Sequence, residues 1–183
     1  MIIGTHNSMT YLRPKQWWGY LFIPFWRCQN KTIREQWDAG VRCFDLRITF
    51  DEFGIPMFAH GIVKLKGGVC SLINDILAMA REHNTEVYIR LVCEDKSADE
   101  LMAKRFKEFC GLFTIWQCTP FEGRRKGDWK LLYDFKYKPR LVQHVGSMAT
   151  DARWYEKFMP QKYAKRMNEH NQPEEDITLY DFI

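Results

Sequence analysis

The 183-residue sequence lacks long hydrophobic runs, a strong excess of one charge, and regularly spaced metal ligands. No apolar stretch reaches the ~18 residues that a membrane-spanning helix needs. The net charge is only +4, and the basic residues are scattered, with their densest cluster at 123–130. No nucleic-acid partner is therefore expected, although that cluster would suit an anionic membrane surface. No CxxC pair, internal repeat or low-complexity tract is present, so zinc-finger and repeat architectures are not indicated.

What the sequence does contain is enough apolar material for a full core. Hydrophobic residues make up 46% of the chain and aromatic residues 15%, which is typical of a globular protein and predicts a single domain over residues 1–183. The six cysteines favour buried free thiols over disulfides, because two of them fall inside predicted strands. Free thiols indicate a reducing, cytoplasmic location, and no leader precedes the first strand. The alternative is a secreted protein whose leader was removed when the chain was trimmed.

The first half of the chain alternates between strand and helix patterns. An apolar run at the N-terminus predicts the first strand, and further strands are expected at 41–49, 55–59 and 86–92. Thr32 and Glu35 form a capping box for a helix that ends at Gly40. Ser71 is expected to open a second helix, and residues 97–110 a third. This alternation predicts a mostly parallel sheet.

The second half is less regular. Strand candidates are LFTIWQC, WKLLYDF, RLVQHVG and ITLYDFI, and the best helix candidate spans 151–168. About eight strands are predicted, with fewer crossover helices than a standard (β/α)8 barrel has. Such a barrel usually needs ~200 to 250 residues, and this chain is shorter. The predicted fold is therefore α/β, a compact TIM (β/α)8 barrel with distortion allowed.

Three polar residues lie on the predicted strands in a chemically suggestive way. His6 and His60 each close a short apolar run, and Arg47 lies on the strand between them. In parallel sheets such strand ends form the rim where ligands bind. Histidine can take and give a proton near neutral pH, and the arginine fork suits a phosphate. Together they indicate phosphodiester cleavage.

The sequence around these residues resembles that of a known family. The segments GTHNSMTY and TIREQWDAGVRCFDLRI, followed by a short strand that ends in HG, are similar to the X-region of phosphatidylinositol-specific phospholipase C. That pattern runs GTHDS, then QxxxGxRxFDxR, then HG. The resemblance covers about residues 2–94, and the order and spacing of the motifs agree as well as the residues.

The resemblance implies roles for individual residues. His6 matches the general base that activates an inositol hydroxyl, and His60 matches the general acid that protonates the leaving oxygen. Arg47 would hold the phosphate oxygens, with a cyclic phosphate as intermediate or product. In ITLYDFI, Asp181 would bind the base histidine and fix its tautomer. The implied fold is a phospholipase-C-like phosphodiesterase barrel.

The chain also departs from the bacterial pattern. Asn7 replaces an aspartate that positions and charges the acid histidine, and Asp45 is the candidate substitute. A lysine expected after the fourth strand is absent; Glu94 stands there, and Arg90 is the candidate replacement. Asn7 and Asp45 are counted with the catalytic residues. The predicted substrate-binding residues are Arg90, Glu94, His144 on RLVQHVG, Trp17 and Trp18.

The same motif bears on metal binding. In the calcium-dependent eukaryotic enzymes two carboxylates bind the ion, whereas Arg47 here places a fixed cation at that position, as in the metal-independent bacterial enzymes. No metal or other cofactor is therefore expected. Calcium held by Asn7, Asp45 and Glu94 is the alternative.

An aromatic loop follows the first motif and contains Trp17 and Trp18. Such rings suit a membrane interface, although some of them could equally close the core. The expected partner is a phospholipid or other phosphodiester, with possible contact to a membrane surface; the oligomeric state is left open. Two alternatives remain for the function. One is a phosphodiesterase acting on another head group or a soluble glycerophosphodiester, and the other is a catalytically silent phosphoinositide-binding module.

Overall fold

The computed structural model describes residues 2–94, 115–118, 130–131, 141–143, 153–156, 158–170 and 177–183. Nine strands are described: β1 (Ile2–Thr5), β2 (Cys43–Phe50), β3 (Pro56–His60), β4 (Val63–Gly68), β5 (Tyr88–Cys93), β6 (Ile115–Cys118), β7 (Lys130–Leu131), β8 (Leu141–Gln143) and β9 (Ile177–Tyr180). The described helices are α1 (Ile23–Trp26), α2 (Ile33–Asp38), α3 (Val69–Glu82) and α4 (Pro160–His170), with a 3₁₀ turn at Trp17–Tyr20.

All nine described strands belong to one sheet. Its main path runs β7-β6-β5-β2-β1-β9-β8, and the antiparallel pair β3-β4 branches from β2. Strands β1, β2, β5, β8 and β9 pair with their neighbours on this path in parallel, as alternating strand and helix patterns predict. Because β7 and β8 are the two ends of the path, the described strands form a curled half-barrel and do not show the full TIM barrel that the sequence predicted.

The sheet separates two environments along β2. Phe44, Leu46 and Ile48 alternate onto the face that packs against the apolar side of α3 and the residues Ile33 and Trp37 of α2. Alternation places the intervening residues of β2 on the opposite, inner face. The main core therefore lies between sheet and helices, and the charged residues of β2 project into the interior of the curl.

Some element boundaries differ from the sequence prediction. Helix α2 has the predicted capping box, in which Glu35 N donates to the Thr32 side chain and Thr32 N to the Glu35 carboxylate. Helix α3, however, begins at Val69 and not at Ser71, because the chain enters it directly from Gly68 at the end of β4. Strand β4 was missed because VKLKGG has the composition of a loop. The predicted helix at 97–110 lies outside the described residues.

One glycine is needed for the approach of β1 to β9. A Cβ atom on Gly4 would lie 2.4 Å from Leu179 Cδ2, which is far inside van der Waals contact. Gly4 thus lets the two strands pack closely just below the residues that follow them, His6 and Asp181.

Candidate active site

The site begins where two parallel strands end side by side. Strand β1 pairs with β9 in a register that aligns Thr5 with Tyr180. The next residues, His6 and Asp181, are consequently neighbours, although they are 175 positions apart in the sequence. His6 Nδ1 lies 2.8 Å from Asp181 Oδ1, and the two residues are 4% exposed. The fold therefore builds a buried imidazole–carboxylate pair from the two ends of the described chain.

The buried side-chain amide of Gln29 holds the backbone at the ends of β1 and β9 together. The Nε2 atom of Gln29 donates to the backbone carbonyls of both His6 (3.1 Å) and Tyr180 (2.7 Å). Because one side chain bridges the residues at both strand ends, it fixes the relative position of the pair. Sequence reasoning missed Gln29, which stands in a loop with no motif around it.

Arg47 approaches the other edge of the imidazole. Its Nη2 atom lies 2.8 Å from His6 Nε2. A guanidinium can only donate, so Nε2 of His6 is the acceptor and Nδ1 carries the proton given to Asp181. This is the tautomer that a general base requires, with the Nε2 lone pair on the side of Arg47.

A network of charges holds Arg47 in place. Asp45 precedes it by two residues and lies on the same face of β2; its Oδ2 is 3.4 Å from Arg47 Nε. Glu94, just after β5, accepts from Arg47 Nη1 at 3.2 Å. Arg90 is aligned with Asp45 across the two strands, and the pair lies 3.3 Å apart. The guanidinium is therefore fixed between two carboxylates.

The electrostatics of this network favour the ionised forms of Asp45 and Arg47. Burial alone would raise the pKa of Asp45, but the positive charges of Arg90 and Arg47 hold it at about 2. Burial likewise opposes the charge of Arg47, and the carboxylates of Asp45 and Glu94 overcome it, so the pKa of Arg47 is raised. The site thus presents a permanent cation, Arg47, within hydrogen-bonding distance of His6.

Strand β3 places His60 opposite His6. Strand β1 pairs with β2 only at residues 43–44, and β3 joins β2 only at residues 48–50. Between these contacts β3 runs antiparallel back toward β1 and delivers His60 opposite His6. The two rings lie 6.4 Å apart, centroid to centroid, at 87°. The histidines therefore face one space, bordered by the charged residues of β2.

The hydrogen bonds of His60 define its titrating atom. Its Nδ1 atom donates to the backbone carbonyl of Trp26, so Nε2 is the position that gains and loses a proton. Burial lowers the pKa of His60 to about 4, and the neighbouring Arg47 and His6 add to the effect. His60 is therefore neutral near pH 7.

Asn7 occupies a different place from the one predicted. Its backbone is left-handed (φ 47°) and its N–H donates to Asp45 Oδ2 at 3.1 Å. Its side-chain Nδ2 lies 3.4 Å from His6 Nε2 and 3.6 Å from Cys28 Sγ. Asn7 thus adjoins the predicted base, whereas the sequence had assigned it to the acid His60. Likewise Asp45 lies 4.0 Å from His6 Nε2 and contacts the base side.

The remaining predicted residues fall into two groups. Trp17 is 76% exposed, whereas Trp18 is half-buried, packs against the core and lines a cavity of about 510 Å³ that reaches His60. His144 lies outside the described residues. The alternative calcium site would need Asp45 and Glu94 free, but both carboxylates are paired with Arg47 in the structure. Among the described residues, a different set, His6, Cys28 and Asp181, brings possible metal ligands together.

None of the described helices is long and apolar enough to cross a membrane. Comparisons of the sequence with protein-family profiles and with curated proteins give no match. Solved structures do match. The chain is similar to the phosphatidylinositol-specific phospholipase C from Listeria monocytogenes, with 16% identity and a TM-score of 0.63 over 99% of this chain and 87% of that one.

Two structures of the S. aureus phosphatidylinositol-specific phospholipase C are also similar. A double mutant matches with 11% identity and a TM-score of 0.63 over 99% of this chain and 84% of that one. A second mutant has the same identity and a TM-score of 0.61 over 99% and 85%. Since these identities are low, the likeness concerns the fold: this chain has the fold of the bacterial phosphatidylinositol-specific phospholipases C.

Proposed function

We propose that the protein cleaves the phosphodiester of a phosphoinositide-type phospholipid by histidine acid–base catalysis, as a phosphoric diester lyase or hydrolase. The observation that supports this best is the buried sequence of contacts Asp181–His6–Arg47, with His60 across a space of 6.4 Å between ring centres. It supplies an oriented base, a phosphate-binding cation and a second proton carrier at one place. The likeness to bacterial phosphatidylinositol-specific phospholipases C supports the substrate class.

In the proposed reaction the phosphate enters beside Arg47. A non-bridging oxygen takes over the donor that Arg47 now gives to His6, which frees Nε2 to accept a proton. The neighbouring hydroxyl of the head group passes that proton to His6 while its oxygen bonds to phosphorus. The bond from phosphorus to the leaving alcohol breaks, and His60 gives its Nε2 proton to the departing oxygen. The products are a cyclic phosphate and an alcohol.

His60 must gain its proton when substrate binds. In the free site burial and Arg47 hold its pKa near 4. A bound phosphodiester adds a negative charge between Arg47 and His60, and a negative charge favours the imidazolium. The alkaline limb of the kcat profile, which reports the complex, should therefore lie at higher pH than that of kcat/KM, which reports the free protein.

The proposed reaction needs no metal ion. Arg47 is fixed by Asp45 and Glu94 and supplies the positive charge that the phosphate requires. Activity should accordingly survive a chelator. Recovery of a chelator-treated sample only after calcium is added would favour the alternative site at Asn7, Asp45 and Glu94.

The surface beside His60 supports a lipid substrate over a soluble one. Residues 1–34 contain no acidic residue but five basic ones, a composition that suits anionic lipid. Of the large apolar side chains exposed in this part of the chain, Phe22, Phe25 and Ile62 line the cavity. The exposed set is Trp17, Tyr20, Leu21, Phe22, Phe25 and Ile62. We propose that this surface touches the membrane while the leaving diacylglycerol departs past His60.

A panel of phospholipids and glycerophosphodiesters, followed by ³¹P NMR, tests the reaction. His6→Ala and His60→Ala should each lose ~100-fold or more in rate, whereas His83→Ala, a control at an exposed histidine, should not. A cyclic phosphate signal from inositol lipids supports the proposed route. Turnover of soluble diesters alone would indicate the alternative substrate, and head-group binding without turnover would indicate a silent binding module.

A further inference from the structure

Cys28 is a buried thiol beside the proposed base, and the proposed mechanism does not use it. Its backbone is fixed on both sides: its N–H donates to Thr10 Oγ1 at 3.0 Å, and its carbonyl accepts from Phe182 N at 2.8 Å. The second bond ties Cys28 to the residue after Asp181. The thiol is therefore held next to the imidazole–carboxylate pair by the fold itself.

The three side chains offer a mixed set of ligands. A ring nitrogen of His6, Sγ of Cys28 and a carboxylate oxygen of Asp181 all lie within 4.8 Å of one another. Thiolate and imidazole together suit zinc, whereas calcium and magnesium prefer oxygen alone. Around tetrahedral zinc, sulfur and nitrogen ligands stand about 3.6 Å apart, as follows from bond lengths of about 2.3 and 2.1 Å. Side-chain movements of about 1 Å would bring the three ligand atoms to the separations that zinc requires.

Asn7 provides a second, independent indication of a ligand. Its side chain is 0% exposed, and its Oδ1 atom has no hydrogen-bond partner. Leaving a buried carbonyl oxygen unpaired costs about 1–3 kcal/mol. The same amide already adjoins Cys28 Sγ through Nδ2 at 3.6 Å, so a turn of the amide would direct Oδ1 to an ion held there. Asn7 is thus a candidate for the fourth ligand.

We propose that His6, Cys28 and Asp181 form an inhibitory binding site for Zn²⁺. On binding, the ion displaces the thiol proton of Cys28, which is released to solvent. The Nδ1 proton of His6 moves to Nε2, so the ring stays neutral, and Arg47 gives up its hydrogen bond to Nε2. The two anionic ligands match the charge of the ion. With Nε2 protonated, His6 cannot accept a proton from the substrate, so bound zinc stops turnover; this last consequence rests on the proposed function, but zinc binding itself does not.

Binding is measured first, by calorimetric titration of the full chain with Zn²⁺ in the absence of substrate. One high-affinity site is expected. Cys28→Ser should weaken it by more than the ~10–100-fold typical of losing an outer-shell partner, while Cys70→Ser, at a partly exposed cysteine of α3, should leave it unchanged. Equal affinity in the wild type and Cys28→Ser, or no one-to-one complex at all, would overturn the proposal.

Cobalt substitution provides a check that does not depend on affinity. Co²⁺ bound to a thiolate gives a near-ultraviolet charge-transfer band, which is expected in the wild type and in Cys70→Ser but not in Cys28→Ser. Should Cys28→Ser fail to fold, Asp181→Asn takes its place and should show weaker zinc binding. A band that persists in Cys28→Ser, or unchanged binding in Asp181→Asn, rejects the site.

The activity experiment then separates the two proposals. Zinc should inhibit the wild type and Cys70→Ser, with recovery on adding a chelator, but spare Cys28→Ser. Zinc binding without any measurable turnover would contradict the proposed function and leave the metal site standing. Turnover that zinc does not affect, despite binding, would show that the ion sits elsewhere and would overturn the inhibitory site.

Discussion

Acidification should destabilise the folded protein through His60. The pKa of this residue falls from 6.5 to about 4 on folding, first because burial disfavours the imidazolium and then because of the charge of Arg47. The folded state therefore binds fewer protons than the unfolded state between these two values. The stabilisation is complete above pH 6.5 and is lost as the pH falls toward 4.

The size of the effect follows from linkage. Each pH unit between the two values is worth about 1.4 kcal/mol, so the full contribution is about 3 kcal/mol, of which about 2 is lost between pH 7 and pH 5. For a domain whose unfolding free energy is typically 5–15 kcal/mol, this loss is readily measured. Asp45, with a pKa of about 2, keeps its charge in this window and does not contribute.

Urea unfolding of the wild type and His60→Asn at pH 7 and pH 5 measures this contribution. Asparagine keeps an N–H that can donate to the Trp26 carbonyl but does not titrate. The wild type should lose about 2 kcal/mol more than the variant on acidification. His83→Asn, at an exposed histidine, is the matched control and should follow the wild type. Parallel losses in the wild type and His60→Asn would refute the reasoning.

Further predictions concern the site and its surface. Arg47→Ala should lower kcat at least ~100-fold, because a transition-state donor is lost, and should move the alkaline limb of kcat/KM to higher pH; a pH–rate series checks both. Asn7→Asp should shift the acidic limb to higher pH, because a carboxylate beside His6 favours its protonated form, and an unmoved limb would contradict the geometry. Trp17→Ala should weaken co-sedimentation with vesicles without changing the melting temperature. Trp18→Ala should lower the melting temperature, because loss of a packed aromatic side chain costs up to ~3 to 5 kcal/mol. Equal effects of the two variants would show that exposure does not separate their roles.

Local signals predicted the elements that depend on local chemistry. Thr32 and Glu35 specify the start of α2 whatever the rest of the chain does, and the apolar alternation of β2 places Asp45 and Arg47 on one face. The proximity of His6 and Asp181 could not come from periodicity; it came from resemblance to a family, and physically it depends on the register of β1 against β9.

The rest depends on long-range contacts that leave little trace in the sequence. Gln29 is a loop glutamine until the fold buries it against the His6 and Tyr180 carbonyls. Cys28 looks like an ordinary apolar residue, and its place beside Asp181 follows from one backbone bond to Phe182. Strand β4 forms because β3 offers it an edge, since its own residues are mostly polar or glycine.

The pairing of β1 with β9 joins residues from the two extremes of the described chain, and a nascent polypeptide makes them at different times. During synthesis His6 leaves the ribosome early. It has no contact with the Asp181 carboxylate until that residue has also emerged and β9 has paired with β1. The His6–Asp181 pair therefore forms only after β9 has been made and has paired with β1. A nascent chain that contains both histidines and Arg47 but not β9 would lack the carboxylate that binds His6 Nδ1.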